Sequence, residues 1–263
     1  MPFQSNEKVK YYQFDSLVDK NILHAVLTRH GGVSSAPFNT LNMGSTVGDD
    51  PDSVQENKEI AFTSLGLSTG SIFDVWQVHG KEVVCTGKPR PLNIPHRKAD
   101  AILTDRPGVT LLMRFADCVP ILLFDPIKKV VGLAHAGWKG TVERIAAGTV
   151  RTMGEKYGSN PADILAAIGP SIGPDHYEIG GNVREKIEKT FGQDASEILH
   201  RRTGKENAVT LDLWRSNEIV LMDVGVRHIE IAGICTASHQ RDWYSYRGEG
   251  GTTGRFGIII ALL

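Results

Sequence analysis

Thr110-Leu111-Leu112-Met113-Arg114-Phe115-Ala116-Asp117-Cys118-Val119-Pro120-Ile121-Leu122-Leu123-Phe124-Asp125 carries the first signal of the fold, and Val130-Val131-Gly132-Leu133-Ala134-His135 follows after a short turn. Residues 110–114, 121–125 and 130–135 are apolar runs of strand length with few charges. Such runs read as strands buried on both faces. From Thr141 the period changes. Val142, Ile145, Ala146, Thr149, Val150 and Met153 recur at helical spacing, the stripe of a helix lying on a core. Thr141 is expected to cap its start and Gly158 its end.

Further strands are expected at 25–28, 74–78, 82–86, 101–104, 164–168, 229–235 and 256–262. Helices are expected at about 183–191, at 213–224 stopped by Gly225, and at 57–65 ended by Gly66. Strands dominate the middle of the chain and helices fall between pairs of them. That is neither a βαβ alternation nor an all-β pattern. The expectation is an α+β fold with mixed sheets and helices on their outer faces. No repeat, low-complexity tract or linker interrupts the chain, and 87–95, with three prolines, reads as a loop. Residues 1–263 are therefore expected to form a single domain.

Composition bounds the function. The chain has 263 residues, 41% of them hydrophobic, which is ample for a core. Its 28 glycines exceed the usual ~7% and imply many tight turns. With 29 basic and 30 acidic residues the net charge is −1, against a protein whose main partner is nucleic acid. Three cysteines, Cys85, Cys118 and Cys235, cannot close a disulfide framework and fit a reducing, cytoplasmic setting. Residues 1–8 lack an apolar signal core, and no stretch is apolar enough to cross a membrane.

Three residues at the ends of expected strands can carry chemistry. His79, in Gln77-Val78-His79-Gly80, is either a ligand exposed on a turn or an ordinary strand-end histidine. Cys118 is expected on a loop, because Pro120 should block a regular ladder; it is a nucleophile, a ligand or a buried structural thiol. His135 precedes Ala136-Gly137-Trp138-Lys139-Gly140, a glycine-rich helix start that can hold an anion with Lys139; otherwise it is a packed histidine. The three stand 39 and 17 positions apart, which matches no compact finger signature. Two imidazoles and a thiolate nonetheless make a good zinc set with one position open to water. Cys85 reads as core, whereas Cys235 ends a strand and either lines the same pocket or joins the core. Arg29 and Arg247, each near a turn, are phosphate partners or solvated charges. Asn42 and His30 are equally open between ligand contact and turn.

These residues fall in ordered motifs. They are Thr28-Arg29-His30-Gly31-Gly32-Val33-Ser34, Leu41-Asn42-Met43-Gly44, Gln77-Val78-His79-Gly80, Ala99-Asp100-Ala101, Ala116-Asp117-Cys118-Val119-Pro120 and Ala134-His135-Ala136-Gly137-Trp138-Lys139-Gly140. Later come Ile168-Gly169-Pro170-Ser171-Ile172-Gly173-Pro174, Cys235-Thr236, Ser245-Tyr246-Arg247 and Thr253-Gly254-Arg255. Over nearly its whole length the chain resembles the YfiH family, also called laccase-domain proteins, polyphenol oxidases or peptidoglycan editing factors. The resemblance implies a four-layer α/β/β/α sandwich and a zinc site from His79, Cys118 and His135. It implies phosphorolysis of adenosine, inosine, guanosine and methylthioadenosine to base plus ribose 1-phosphate, and adenosine deamination. Two departures stand out: Arg114-Phe115, where small or aliphatic residues are usual, and Lys139, where an arginine fork is common.

For deamination a carboxylate must move protons. Asp117 is one candidate, or a loop cap; Glu178 is another. For phosphorolysis Arg29, Arg247 and the helix start after Gly140 are the expected anion pocket, with Asn42 as a further substrate contact. Three alternatives stand beside this reading. Copper in place of zinc would make a phenol oxidase, although the nine histidines are dispersed. A metal-free Cys118 paired with His135 or His79 would make a hydrolase. The third is a non-catalytic binding or quality-control role in cell-wall precursor metabolism, as a peptidoglycan-precursor editing factor. The expected partners are purine nucleosides and phosphate, with no nucleic acid and no membrane, in a monomer or homodimer.

Overall fold

The strand Val119–Asp125 is buried along its whole length, and its side chains divide between two cores. Leu122 and Phe124 join Met113, Ile258 and Ile260 on one side. Val119, Ile121 and Leu123 join Ile145, Val150 and Val220 on the other. This period of two places the strand between another sheet and a helix layer. The structure is a computed structural model describing residues 2–6, 8–91, 93–202 and 208–263.

Two six-stranded mixed sheets stack face to face. One runs Phe3–Asn6, Val9–Tyr12, Ile22–Leu27, Phe256–Leu262, Thr110–Phe115, Ile72–Asp74. The other runs His228–Ile231, Leu165–Ile168, Val119–Asp125, Val130–Ala136, Ala101–Thr104, Val83–Cys85. Val26, Met113 and Ile258 of the first sheet meet Ile102, Leu122 and Val131 of the second between the layers. Ala25, Leu27, Leu112 and Ile259 turn the other way, onto Ala61 and Phe62 of the helix Pro51–Ser64. Helices Ile145–Tyr157 and Leu213–Asp223 cover the outer face of the second sheet. The fold is thus α+β in four layers, helix, sheet, sheet, helix. A small third sheet pairs Glu178–Ile179, Val209–Leu211 and Leu199–Arg201. No helix among the described residues is long and apolar enough to cross a membrane.

Several expectations need correction. The helix expected from Thr141 is two helices, Trp138–Val142 and Ile145–Tyr157. Arg144, in left-handed conformation at φ 58°, separates them, and Thr141 lies inside the first instead of capping the second. Gly158 does close the second, at φ 71°. Pro120 stands within a strand, opposite His135. His135 turns its N–H away to the Asp100 carbonyl, and the Pro120 carbonyl accepts from Gly169 on the other side. No N–H is therefore required between the two strands at that pair. The 57–65 helix begins earlier, at Pro51. Asp50 caps it by accepting from the Ser53 N–H, and its polar first turn hid the start from an apolar pattern. The strand expected at 74–78 is Ile72–Asp74, and that at 229–235 ends at Ile231. Within the 87–95 loop, Leu92 lies outside the described residues.

Candidate metal centre and cleft

His79, Cys118 and His135 come together, with one ligand atom from each lying within 4.8 Å of the others. Three local structures achieve this. His79 sits on a turn at φ 59°. Cys118 follows Asp117, itself at φ 83°, in the tight reversal between Thr110–Phe115 and Val119–Asp125. His135 is the penultimate residue of Val130–Ala136. The two imidazoles meet edge to face, with centroids 4.8 Å apart.

Asp100 ties two of these residues together. Its fully buried carboxylate lies 2.8 Å from His135 Nδ1 and accepts the backbone N–H groups of Val78, His79 and Gly80 at 3.2, 2.9 and 2.7 Å. Burial pushes the Asp100 carboxyl up. The His135 bond and the backbone donors outweigh it and hold the group below the usual carboxylate range. Burial likewise pushes the Cys118 thiol up, but the facing imidazoles of His135 and His79 bring it down to about 6. His135 is raised to about 9: burial opposes the charge, and Cys118 and Asp100 favour it.

This donor set fits a metal ion. One His135 nitrogen is committed to a carboxylate, which leaves Nε2 for the cluster, the arrangement that orients metal-binding histidines. A thiol lowered toward neutrality is ready to lose its proton to a metal. Two nitrogens and one sulfur suit zinc with a fourth position open. Gly137 gives the cluster its room, because a Cβ there would lie 2.8 Å from Cys118 Sγ and 3.3 Å from His79 Cδ2.

The cluster lies in the wall of a cleft of about 530 Å³. Trp76 and Tyr246, about half exposed, offer aromatic faces there. Arg114, Arg247 and Arg255 supply positive charge.

Arg247 lines the cleft as expected of a substrate contact; its guanidinium lies over the Tyr177 ring and donates to the Glu178 carbonyl. Arg29 and Asn42 do not line it. Arg29 is buried over the Tyr244 ring and donates to Asn39 O, Gln240 O and Glu249. Asn42 is fully buried; it accepts from the N–H groups of Gly44 and Arg255 and donates to Asp49. Both hold loops. Asp117 borders the cleft, but its carboxylate accepts from Thr236, Ser245 and the Arg247 N–H at 2.6–2.7 Å. It clips the 236–247 segment to the Cys118 turn. Glu178 pairs with Arg202 and stands outside the cleft lining. Lys139 lies near the Trp138 ring, also away from the cleft. Cys235 packs in the outer core, where it accepts the Gly173 N–H. Sequence reasoning gave no role to Asp100, Trp76, Tyr246 or Arg255. The available signal for Asp100 was an acid set directly against the apolar run 101–104.

A four-layer α+β sandwich whose His–His–Cys cluster could hold a metal ion in the wall of an arginine-bearing cleft defines the class of the protein. The chain belongs to the YfiH family: residues 23–263 match a family model described as "Multi-copper polyphenol oxidoreductase laccase". It is 35% identical over 252 residues to the purine nucleoside phosphorylase YlmD of Bacillus subtilis, covering 93% of this chain and 90% of that one. It is 39% identical over 239 residues to a purine nucleoside phosphorylase of Deinococcus radiodurans, covering 91% and 88%. Among solved structures, YlmD of Geobacillus stearothermophilus superposes with a TM-score of 0.91 at 32% identity, covering 99% of this chain and 98% of that one. The Bacillus licheniformis hypothetical protein YfiH gives 0.91 at 31%, covering 100% and 99%.

Proposed function

We propose that the chain is a purine nucleoside phosphorylase acting as one catalytic unit, with zinc held by His79, Cys118 and His135. The observation that carries this reading is the sharing of one cleft by the cluster, two exposed aromatic rings and three arginines. The names of the Bacillus subtilis and Deinococcus radiodurans relatives support it. A zinc ion there would supply Lewis-acid charge. The chain's own residues do the rest. Trp76 and Tyr246 offer apolar faces to a purine, and the arginines draw phosphate into the cleft. A phosphate oxygen forms the new bond to ribose C1′. The C1′–N9 bond breaks, its electron pair stays on the base, and the base takes up a proton. The products are free base and ribose 1-phosphate.

Adenosine deamination is the second reading, favoured by a cluster that opens to the cleft. It needs a carboxylate to relay protons. Asp117 is the one carboxylate among the described lining residues, and both its oxygens already accept hydrogen bonds. That observation ranks phosphorolysis first. For phenol oxidation by several coppers, one group of three His, Cys or acidic side chains among the described residues is a small ligand set.

Chromatography of products from adenosine, with and without phosphate, separates these readings. Adenine formed only with phosphate is expected. Inosine in both samples would replace the phosphorylase reading with the deaminase one.

A further inference from the structure

Two arginines flank one short loop of the cleft. Arg114 stands near the end of Thr110–Phe115, opposite Gly257 of the neighbouring strand, and Arg255 immediately precedes that strand. Arg114 Nε donates to the Met43 carbonyl at 2.9 Å, and the Met43 N–H donates to the Arg255 carbonyl at 2.8 Å. The Arg255 side chain lies against Gly44, where a Cβ would meet its Cγ at 2.8 Å. Residues 43 and 44 therefore touch both arginine side chains, and Gly44, Ser45, Thr46, Arg114 and Arg255 all line the cleft.

The donors here outnumber their acceptors. Arg114 commits Nε to Met43 and Nη2 to Asp74. Arg255 commits Nη1 to the carbonyls of Thr253 and Gly254. Among the described residues Arg114 Nη1 and Arg255 Nε and Nη2 meet no protein acceptor, the Arg255 guanidinium lies over the Tyr246 ring, and Ser45 and Thr46 are exposed. Positive charge outnumbers acid beside Arg114, while Asp117 faces Arg255. The buried Asp74 faces Arg114 and also serves Arg90 at 2.7 Å and His96 at 3.1 Å. Lys58 belongs to the same group; burial first, then Arg114, lowers its pKa. A cationic wall with unused, forked N–H donors suits a tetrahedral oxyanion.

We propose that Arg114 and Arg255, with the adjoining 44–46 loop, form the binding site for inorganic phosphate. Its role as co-substrate rests on the phosphorylase reading; the binding itself does not.

Thermal melting of the whole protein tests the site without catalysis. The variants are Arg114→Gln and Arg255→Gln. Arg184→Gln, on the helix Gly181–Phe191 and away from the cleft, is the control. At about ten times its Kd, phosphate is expected to raise the melting temperature of wild type and control by about 3 °C. It should shift neither Gln variant, while adenosine still shifts both. In turnover, the KM for phosphate should rise at least tenfold in Arg114→Gln with the KM for adenosine within twofold. Should Arg114→Gln not fold, Arg114→Lys keeps a charge beside Asp74 and loses the fork; its phosphate shift should fall by half or more. An undiminished phosphate shift in the Arg114 and Arg255 variants overturns the proposal. So does a wild-type shift with adenosine 5′-monophosphate but none with phosphate, which would place a substrate's own phosphoryl group there. Phosphate shifts that vanish in the variants, in a protein that makes no adenine, would keep the oxyanion site and end the phosphorylase reading.

Discussion

Asp100 and His135 are bonded to each other twice. The carboxylate lies 2.8 Å from His135 Nδ1, and the Asp100 backbone carbonyl accepts the His135 N–H, also at 2.8 Å. Ring and strand are fixed together, and the other carboxylate bonds fix the turn that carries His79. Asp100→Asn keeps the shape but removes the charge that holds Nδ1–H in place. Metal affinity should fall about 10–100-fold, measured by zinc competition against a chelator. Unchanged affinity would show that His135 needs no such partner.

Gly137 is a site of close approach to the cluster. In Gly137→Ala the new methyl meets Cys118 Sγ at 2.8 Å and His79 at 3.3 Å. The variant should fold, with circular dichroism like wild type, and bind substoichiometric metal. Full metal content by elemental analysis would contradict this.

His24 gives the fold an acid sensitivity. It is buried in the strand Ile22–Leu27, and its Nε2 accepts the Phe14 N–H at 2.9 Å. Burial lowers its pKa to about 4 from an ordinary 6.5, against the weaker pull of Glu230. The unfolded chain therefore binds a proton at a pH where the folded one does not. Stability is full above 6.5 and falls as pH drops toward 4, by about 3 kcal/mol at pH 4. Urea unfolding at pH 7 and pH 4.5 should show a loss that is largely absent in His24→Gln. Equal losses in both proteins would rule His24 out.

Arg29 makes three hydrogen bonds over the Tyr244 ring and does not line the cleft. Arg29→Ala removes the ion-pair partner of Glu249, whose other oxygen still accepts from Ser245 and Thr253, and should cost about 2 kcal/mol of stability. The KM for adenosine should stay within twofold. A large rise in KM with little change in urea midpoint would restore Arg29 to the substrate site.

Much of this architecture was legible in the chain. Apolar runs located Ala101–Thr104 and Phe256–Leu262 to the residue, because strands buried on both faces need uninterrupted apolar sequence. The exposed edge strand Phe3–Asn6 and the half-buried Val9–Tyr12 have no such run and were not foreseen. Arg144 broke an apparently continuous helix because its left-handed turn leaves the apolar stripe intact. At the site, Cys118 and His135 stand at strand ends as read, whereas His79 lies in the loop between Ile72–Asp74 and Val83–Cys85, because its strand stops earlier than the apolar pattern implied. Arg29 and Asn42 stand outside the cleft lining and bond to loops, a difference local sequence does not show, because polar side chains beside glycines look alike in either setting. Arg255 gained its place only through pairing between distant strands, which local sequence does not encode.

The decisive measurement pairs bound metal with nucleoside turnover in wild type and Cys118→Ala. Purified wild type should carry stoichiometric zinc and convert adenosine and phosphate to adenine and ribose 1-phosphate, and Cys118→Ala should lose both. Full turnover by metal-free Cys118→Ala would contradict the role assigned to the His79–Cys118–His135 cluster.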